Sequence, residues 1–122
     1  MTRGPRREAG AVTAEIAVAV PALVLLLAVA LAAVVSGVDR VRAVDAAHVG
    51  ARVLARGEPA ASAREAAEAV APDGAEVALA VDGDLVRARV SVRLPATLRA
   101  LGVPPPRPVT ATARSEAAGT SP

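Results

Sequence analysis

From Ile16 to Val35 every side chain is apolar and uncharged, with Pro21 the only residue that departs from an Ala, Val, Leu and Ile run. About 20 residues at about 1.5 Å each span about 30 Å, the thickness of the hydrocarbon core of a bilayer. A lone segment in that setting must be a helix, because only a helix satisfies its own backbone polar groups. Pro21 has no N–H to offer the carbonyl of Ala17, which predicts a kink there. The residues before the run, MTRGPRREAG, are short, polar and basic, with Arg3, Arg6 and Arg7. They read as a leader rather than as folded structure.

The pattern changes after Ser36-Gly37, but the helical period continues. Over residues 38–56, Arg42, Asp45, His48, Arg52 and Arg56 fall in one sector of a helical wheel. Ala43, Val44, Ala47, Gly50, Ala51 and Leu54 fall in the opposite sector. This predicts a helix with a solvated stripe and a small-residue face that a second helix or a sheet can approach closely. Asp39 and Arg40 fall outside the stripe, as expected at headgroup level. Gly57-Glu58-Pro59 should end the helix.

Ser62 to Val70 predicts a short second helix, with Ser62 as N-cap and Glu65 completing a capping box. Pro72-Asp73-Gly74 breaks it. Glu76–Val81 and Leu85–Leu94 then predict a β-hairpin, with Val86, Ala88, Val90 and Val92 alternating against Arg87, Arg89, Ser91 and Arg93. The turn Asp82-Gly83-Asp84 permits two registers. A Gly83-Asp84 loop sets Val81 opposite Val86, Leu79 opposite Ala88 and Val77 opposite Val90, all on one face. That register is favoured, because the buried face decides pairing. Ala96–Leu101 predicts one helical turn, Pro104–Pro106 an extended stiff segment, and Val109–Ala113 a short third strand. The tail from Ser115 should fray.

Composition narrows the function classes. The chain of 122 residues has no Phe, Trp or Tyr and no Cys. That removes base stacking, aromatic membrane belts, disulfides and thiolate metal sites. The isoelectric point is high, about 10.9, yet the formal net charge is only +2 because Asp and Glu are interspersed among arginines. No nucleic-acid partner is expected. His48 stands alone, which makes it a solvated helix residue rather than a metal ligand. No phosphate loop, nucleophile–base pair or metal constellation is present, so neither an enzyme nor a cofactor is expected. The Arg87, Arg89 and Arg93 row could face an acidic partner; as the outer side of a half-buried hairpin it equally reads as a solvated face.

One charge at the mouth of the span does change the picture. Glu15 immediately precedes the apolar run and follows Gly10 by five residues. An ionisable group at the edge of hydrocarbon is expensive unless it reaches the interface or finds a partner. The segment GAVTAEIAVAVPALVLLL resembles the N-termini of type IV prepilins, most closely those of TadE-like minor pilins or pseudopilins of tight-adherence secretion systems. The likeness covers residues 5–56 and says little of the rest. It implies cleavage by a prepilin peptidase between Gly10 and Ala11, making Glu15 the fifth mature residue. It also implies that Glu15 of one subunit pairs with the freed Ala11 amine of a neighbour, and Pro21 sits where many pilin helices carry proline.

Other readings of the same residues exist. Glu15 could be an ordinary helix-start carboxylate favoured by the helix dipole. A secretory signal removed after the run is disfavoured, since the run is longer than a usual h-region. A twin-arginine reading of Arg6-Arg7 lacks the apolar residues expected next. Arginines flank the span on both sides, so a cytoplasmic N-terminus rests on the resemblance rather than on charge counting.

Together these features predict an α+β protein. Residues 1–10 form a basic leader, 11–56 a transmembrane and stalk helix with its span at 16–35, 57–114 a small head with a short helix and a β-hairpin or three-stranded antiparallel sheet, and 115–122 a flexible tail. The resemblance implies a structural subunit in the bacterial cytoplasmic membrane with its head outside, reaching the pilus or cell surface on assembly. Its expected partners are prepilin peptidase, other pilin or pseudopilin subunits and membrane lipid. The alternative is an unprocessed single-pass envelope protein serving a membrane complex.

Overall fold

The computed structural model describes residues 6–116. The remainder of the predicted leader, residues 1–5, and of the predicted tail, residues 117–122, lies outside the described residues. Six elements follow in order: α1 (Arg6–Ala55), α2 (Ala60–Glu68), β1 (Glu76–Asp82), β2 (Leu85–Ser91), α3 (Ala96–Ala100) and β3 (Val109–Arg114). This is the expected α+β arrangement, with the three-stranded form of the sheet. The chain divides into two units at Ser36/Gly37, within α1.

The first unit is the N-terminal part of α1. It starts at Arg6, so Arg6 to Gly10 are helical, not the unstructured leader that their polarity suggested. Arg, Glu and Ala are good helix formers, and they outweigh one glycine. Pro21 lies inside the helix. Across Ile16–Val35 only Ala32 is even partly covered; Val18 is 73% and Leu27 68% exposed. The most apolar window has a mean hydropathy of 3.0 and none of it is buried. The helix is long and apolar enough to cross a membrane, as a single-pass membrane protein requires. Hydroxyls on either side of the run fold back onto their own helix: Thr13 Oγ1 donates to the Ala9 carbonyl and Ser36 Oγ to the Ala32 carbonyl, both at 2.8 Å.

In the second unit, Gly37–Ala55 of α1 and α2 pack on one face of the sheet. The predicted wheel holds. Arg42, Asp45, His48, Arg52 and Arg56 are exposed, while Ala43, Ala47, Gly50, Ala51 and Leu54 are buried and Val44 is half-buried. Ala46, Val53 and Ala55 are buried as well, so the covered arc is wider than the sequence suggested. The core joins Ala43, Ala46, Ala47 and Ala51 to Ala67 of α2 and to Val77, Ala88, Val90 and Ala111 of the sheet. Val86 and Val90 are the largest fully buried side chains. A core without aromatics closes only if its backbones come near, and Gly50 shows how near. A β-carbon there would stand 3.2 Å from Ala67 Cβ and 3.5 Å from Ala88 Cβ. The small face thus receives a helix and a sheet together.

The helix ends as its sequence directs. Gly57 takes a φ of +83°, and its N–H donates to the Leu54 carbonyl at 3.0 Å, a left-handed glycine terminating a helix. The predicted capping box does not form. α2 begins at Ala60 with Pro59 at the cap position and no side-chain capping bond. Pro59 has no N–H to leave unpaired, and its carbonyl accepts the first helical bond, from Ala63 N–H at 3.1 Å. Ser62 therefore sits inside the first turn. Arg64 Nη1 instead donates to the Val77 carbonyl at 3.0 Å, fixing α2 to β1.

The sheet order is β1-β2-β3, both pairs antiparallel. The hairpin takes the favoured register: Val81 faces Val86, Leu79 faces Ala88 and Val77 faces Val90. Gly83 supplies the positive φ (+63°) of its two-residue turn. β3 covers the expected Val109–Ala113 and adds Arg114. β2 stops at Ser91, short of the predicted Leu94. Its neighbours supply no partner beyond that point, since Ser91 pairs with Glu76 and Val90 with Val109 at their ends.

Candidate functional site

Gly10, Ala11, Glu15 and Pro21 all lie on α1 in the first unit, and all are exposed. Ala11 and Glu15 are separated by four helical positions, which puts them one turn apart on the same side, about 5–6 Å between β-carbons. Pro21 lies about 9 Å further along and about 120° around from Glu15. Gly10, Ala11 and Glu15 form one cluster at the start of the span, and Pro21 does not belong to it.

Among the described residues, no close contact requires a glycine at position 10. A β-carbon there would meet nothing within 4 Å, and its φ is not among the positive ones. A glycine inside a helix costs about 1 kcal/mol relative to alanine. At Gly50 that cost is offset by close packing; at Gly10, as at Gly37, no contact among the described residues offsets it. Glu15 is similarly unassigned: among the described residues it makes neither an ion pair nor a hydrogen bond. A glycine free of close contacts and a carboxylate one turn beyond Ala11 thus stand together at the start of the span with no role in packing among the described residues.

No protein-family model matches the chain, and no solved structure matches it. The chain is similar to "Apoptosis inhibitor Rv3655c" of Mycobacterium tuberculosis, with 42% identity over 77 residues. That stretch is 63% of this chain and 61% of the relative, so the chain spans about three-fifths of the length of the protein it matches.

A second surface lies on the sheet. Because Val86, Ala88 and Val90 point into the core, Arg87 and Arg89 point out on the opposite face, where nothing covers them. The register sets Ala78 and Thr110 beside Arg89, and Ala80 and Thr112 beside Arg87. Short side chains on both sides leave an open groove along the two arginines. Arg93, read from the sequence as part of the same row, lies beyond the strand and pairs with Glu76 Oε1 at 3.2 Å. The arginine row was legible in the sequence; its small-walled shape was not. The signal was present in Ala78 and Ala80, which occupy the outward positions of β1 where polar residues would be usual.

Proposed function

We propose that this protein is a structural minor pilin or pseudopilin of a tight-adherence, type IV pilus-like or secretion system, processed by a prepilin peptidase between Gly10 and Ala11. The observation that carries the reading is the cluster at the start of an exposed apolar helix. Among the described residues Gly10 serves no packing role there, and Glu15, one turn beyond Ala11, makes no ion pair. Cleavage would create a cationic amine on Ala11. In an assembly of parallel helices, Glu15 of one copy would neutralise the amine of its neighbour and fix their axial register. The pairing also explains why a carboxylate is placed at the edge of hydrocarbon, since a buried charge with its partner missing is strongly destabilising. The N-terminus is cytoplasmic in this reading, the head lies outside the cytoplasmic membrane, and assembled copies reach the pilus or cell surface.

A second reading has its own observation. α1 runs without interruption from Arg6 through Gly10 and Ala11, so an uncut chain is also a coherent helix. It would serve as an unprocessed single-pass accessory subunit of an envelope complex. The relative's name, an effect on cell death, bears on neither processing nor assembly. The N-terminal residue and mass of the protein purified from its host decide between the two. A start at Ala11 supports the pilin reading, and an intact leader overturns it in favour of the anchor.

A further inference from the structure

We infer that copies of this protein bind one another head to tail through their outer domains, with Glu65 and Glu68 of α2 on one copy engaging Arg87 and Arg89 of β2 on the next. Within one chain these residues cannot meet. Ala63 and Ala67 bury α2 against the core side of the sheet, and at 100° per residue Glu65 lies opposite them with Glu68 about 60° away from it. Both carboxylates are exposed, and Glu65 leaves α2 on the side opposite its buried alanines. Arg87 and Arg89 leave the sheet on its other face. Among the described residues none of the four makes an ion pair, whereas Arg56 and Arg93 are matched to Glu58 and Glu76.

The two surfaces agree in spacing and in relief as well as in charge. Glu65 and Glu68 are three helical positions apart, about 5–6 Å between β-carbons. Arg87 and Arg89 are two strand positions apart, about 6.5 Å. Ala61, Ser62 and Ala69 beside the glutamates are short and exposed, as are Ala78, Ala80 and Thr110 beside the arginines. α2 can therefore lie along the groove with its carboxylates within reach of both guanidinium groups, which bind carboxylates through paired N–H donors. Such a contact joins two different patches. It does not close on itself in a pair and propagates into an open stack. Such stacking of heads deepens the proposed assembly and rests on that reading of the chain.

The test uses the full-length protein in membranes of its host. The chain has no cysteine, so two introduced thiols report one contact. Copies carrying Glu65→Cys, co-expressed with differently tagged copies carrying Arg89→Cys, should form mixed disulfides at least tenfold above either variant alone. Arg87→Glu with Arg89→Glu should abolish the assembly that the native chain shows, and adding Glu65→Arg with Glu68→Arg on the same chain should restore it. Absence of the 65–89 cross-link, or a cross-link from residue 89 to another protein instead, overturns the inference. A Leu25→Cys variant, with its thiol in the apolar run, separates the two levels. If 25–25 disulfides form while 65–89 disulfides do not, the head contact is refuted and the filament reading stands. If neither forms, both fall.

Discussion

Gly50 is the position at which a single added group should most clearly test how the head is built. A β-carbon at Gly50 would stand 3.2 Å from Ala67 Cβ, 3.4 Å from Leu79 Cδ2 and 3.5 Å from Ala88 Cβ. The leucine can rotate away. The two alanine methyls cannot, because they are fixed to the backbones of α2 and β2. Gly50→Ala gains about 1 kcal/mol of helix propensity and meets a tight contact with one fixed methyl. The two terms oppose each other, and the variant should fall within about 1 kcal/mol of the native chain. Gly50→Val gains less propensity, about 0.4 kcal/mol, and adds two more carbons where the space is already filled. Overpacking of that kind costs about 1–3 kcal/mol, so a net loss of about 2 kcal/mol is expected. That raises the unfolded fraction of the head about 30-fold. With no Trp or Tyr in the chain, fluorescence is uninformative. Amide hydrogen exchange of β2 in detergent-solubilised full-length protein reads the same free energy. If Gly50→Val exchanged no faster than Gly50→Ala, the claimed three-way contact of α1, α2 and the sheet would be wrong.

The remaining predictions address the span and the tie between α2 and β1. Gly10→Leu should block leader removal, and a mature mass identical to that of the native chain would refute the assigned cleavage position. Glu15→Ala should abolish co-purification of assembled copies while leaving membrane insertion intact, because insertion depends on the apolar run alone; normal assembly would remove the carboxylate from its pairing role. Arg64→Met keeps the aliphatic stem but loses the 3.0 Å bond to the Val77 carbonyl. It should destabilise the head by about 1 kcal/mol, visible as faster exchange across α2, and unchanged exchange would mean that water replaces the guanidinium without loss.

What the sequence disclosed depends on how far each signal reaches along the chain. The register of the hairpin was legible because Val77, Leu79 and Val81 can cover the same face as Val86, Ala88 and Val90 in only one pairing. The solvated stripe of α1 was legible because its charges recur at the helical period. The start of α2 was not. Ser62 and Glu65 have the local spacing of a capping box, but Pro59 takes the cap position three residues earlier and its carbonyl accepts the first helical bond. The full width of the buried arc of α1 was also hidden. Ala46, Val53 and Ala55 are covered because α2 and the sheet both close on the helix, and no single-face wheel anticipates two partners. The spacing of Gly10, Ala11 and Glu15 was local and stood out through the family resemblance, but the polarity of residues 6–10 hid that the helix already includes them.

The division of labour among residue types connects these results. The second unit folds on small aliphatic side chains, with no polar or charged residue buried among the described ones. The two ion pairs among its described residues lie on the surface, with side chains 44–77% exposed, where such pairs contribute little to stability. Folding within one chain therefore makes little use of charge. Among the described residues, Glu15, Glu65, Glu68, Arg87 and Arg89 nevertheless make no ion pair, at the mouth of the span and on the head. Each carboxylate has a candidate counterpart that a single copy cannot bring to it: the Ala11 amine of a neighbour for Glu15, and the arginines of a neighbour for Glu65 and Glu68. Glu15 would set the register of the helices, and the head contacts would set the order in which copies follow one another. The two contacts are therefore tested separately, Glu15 by assembly of the helices and the head charges by the 65–89 cross-link.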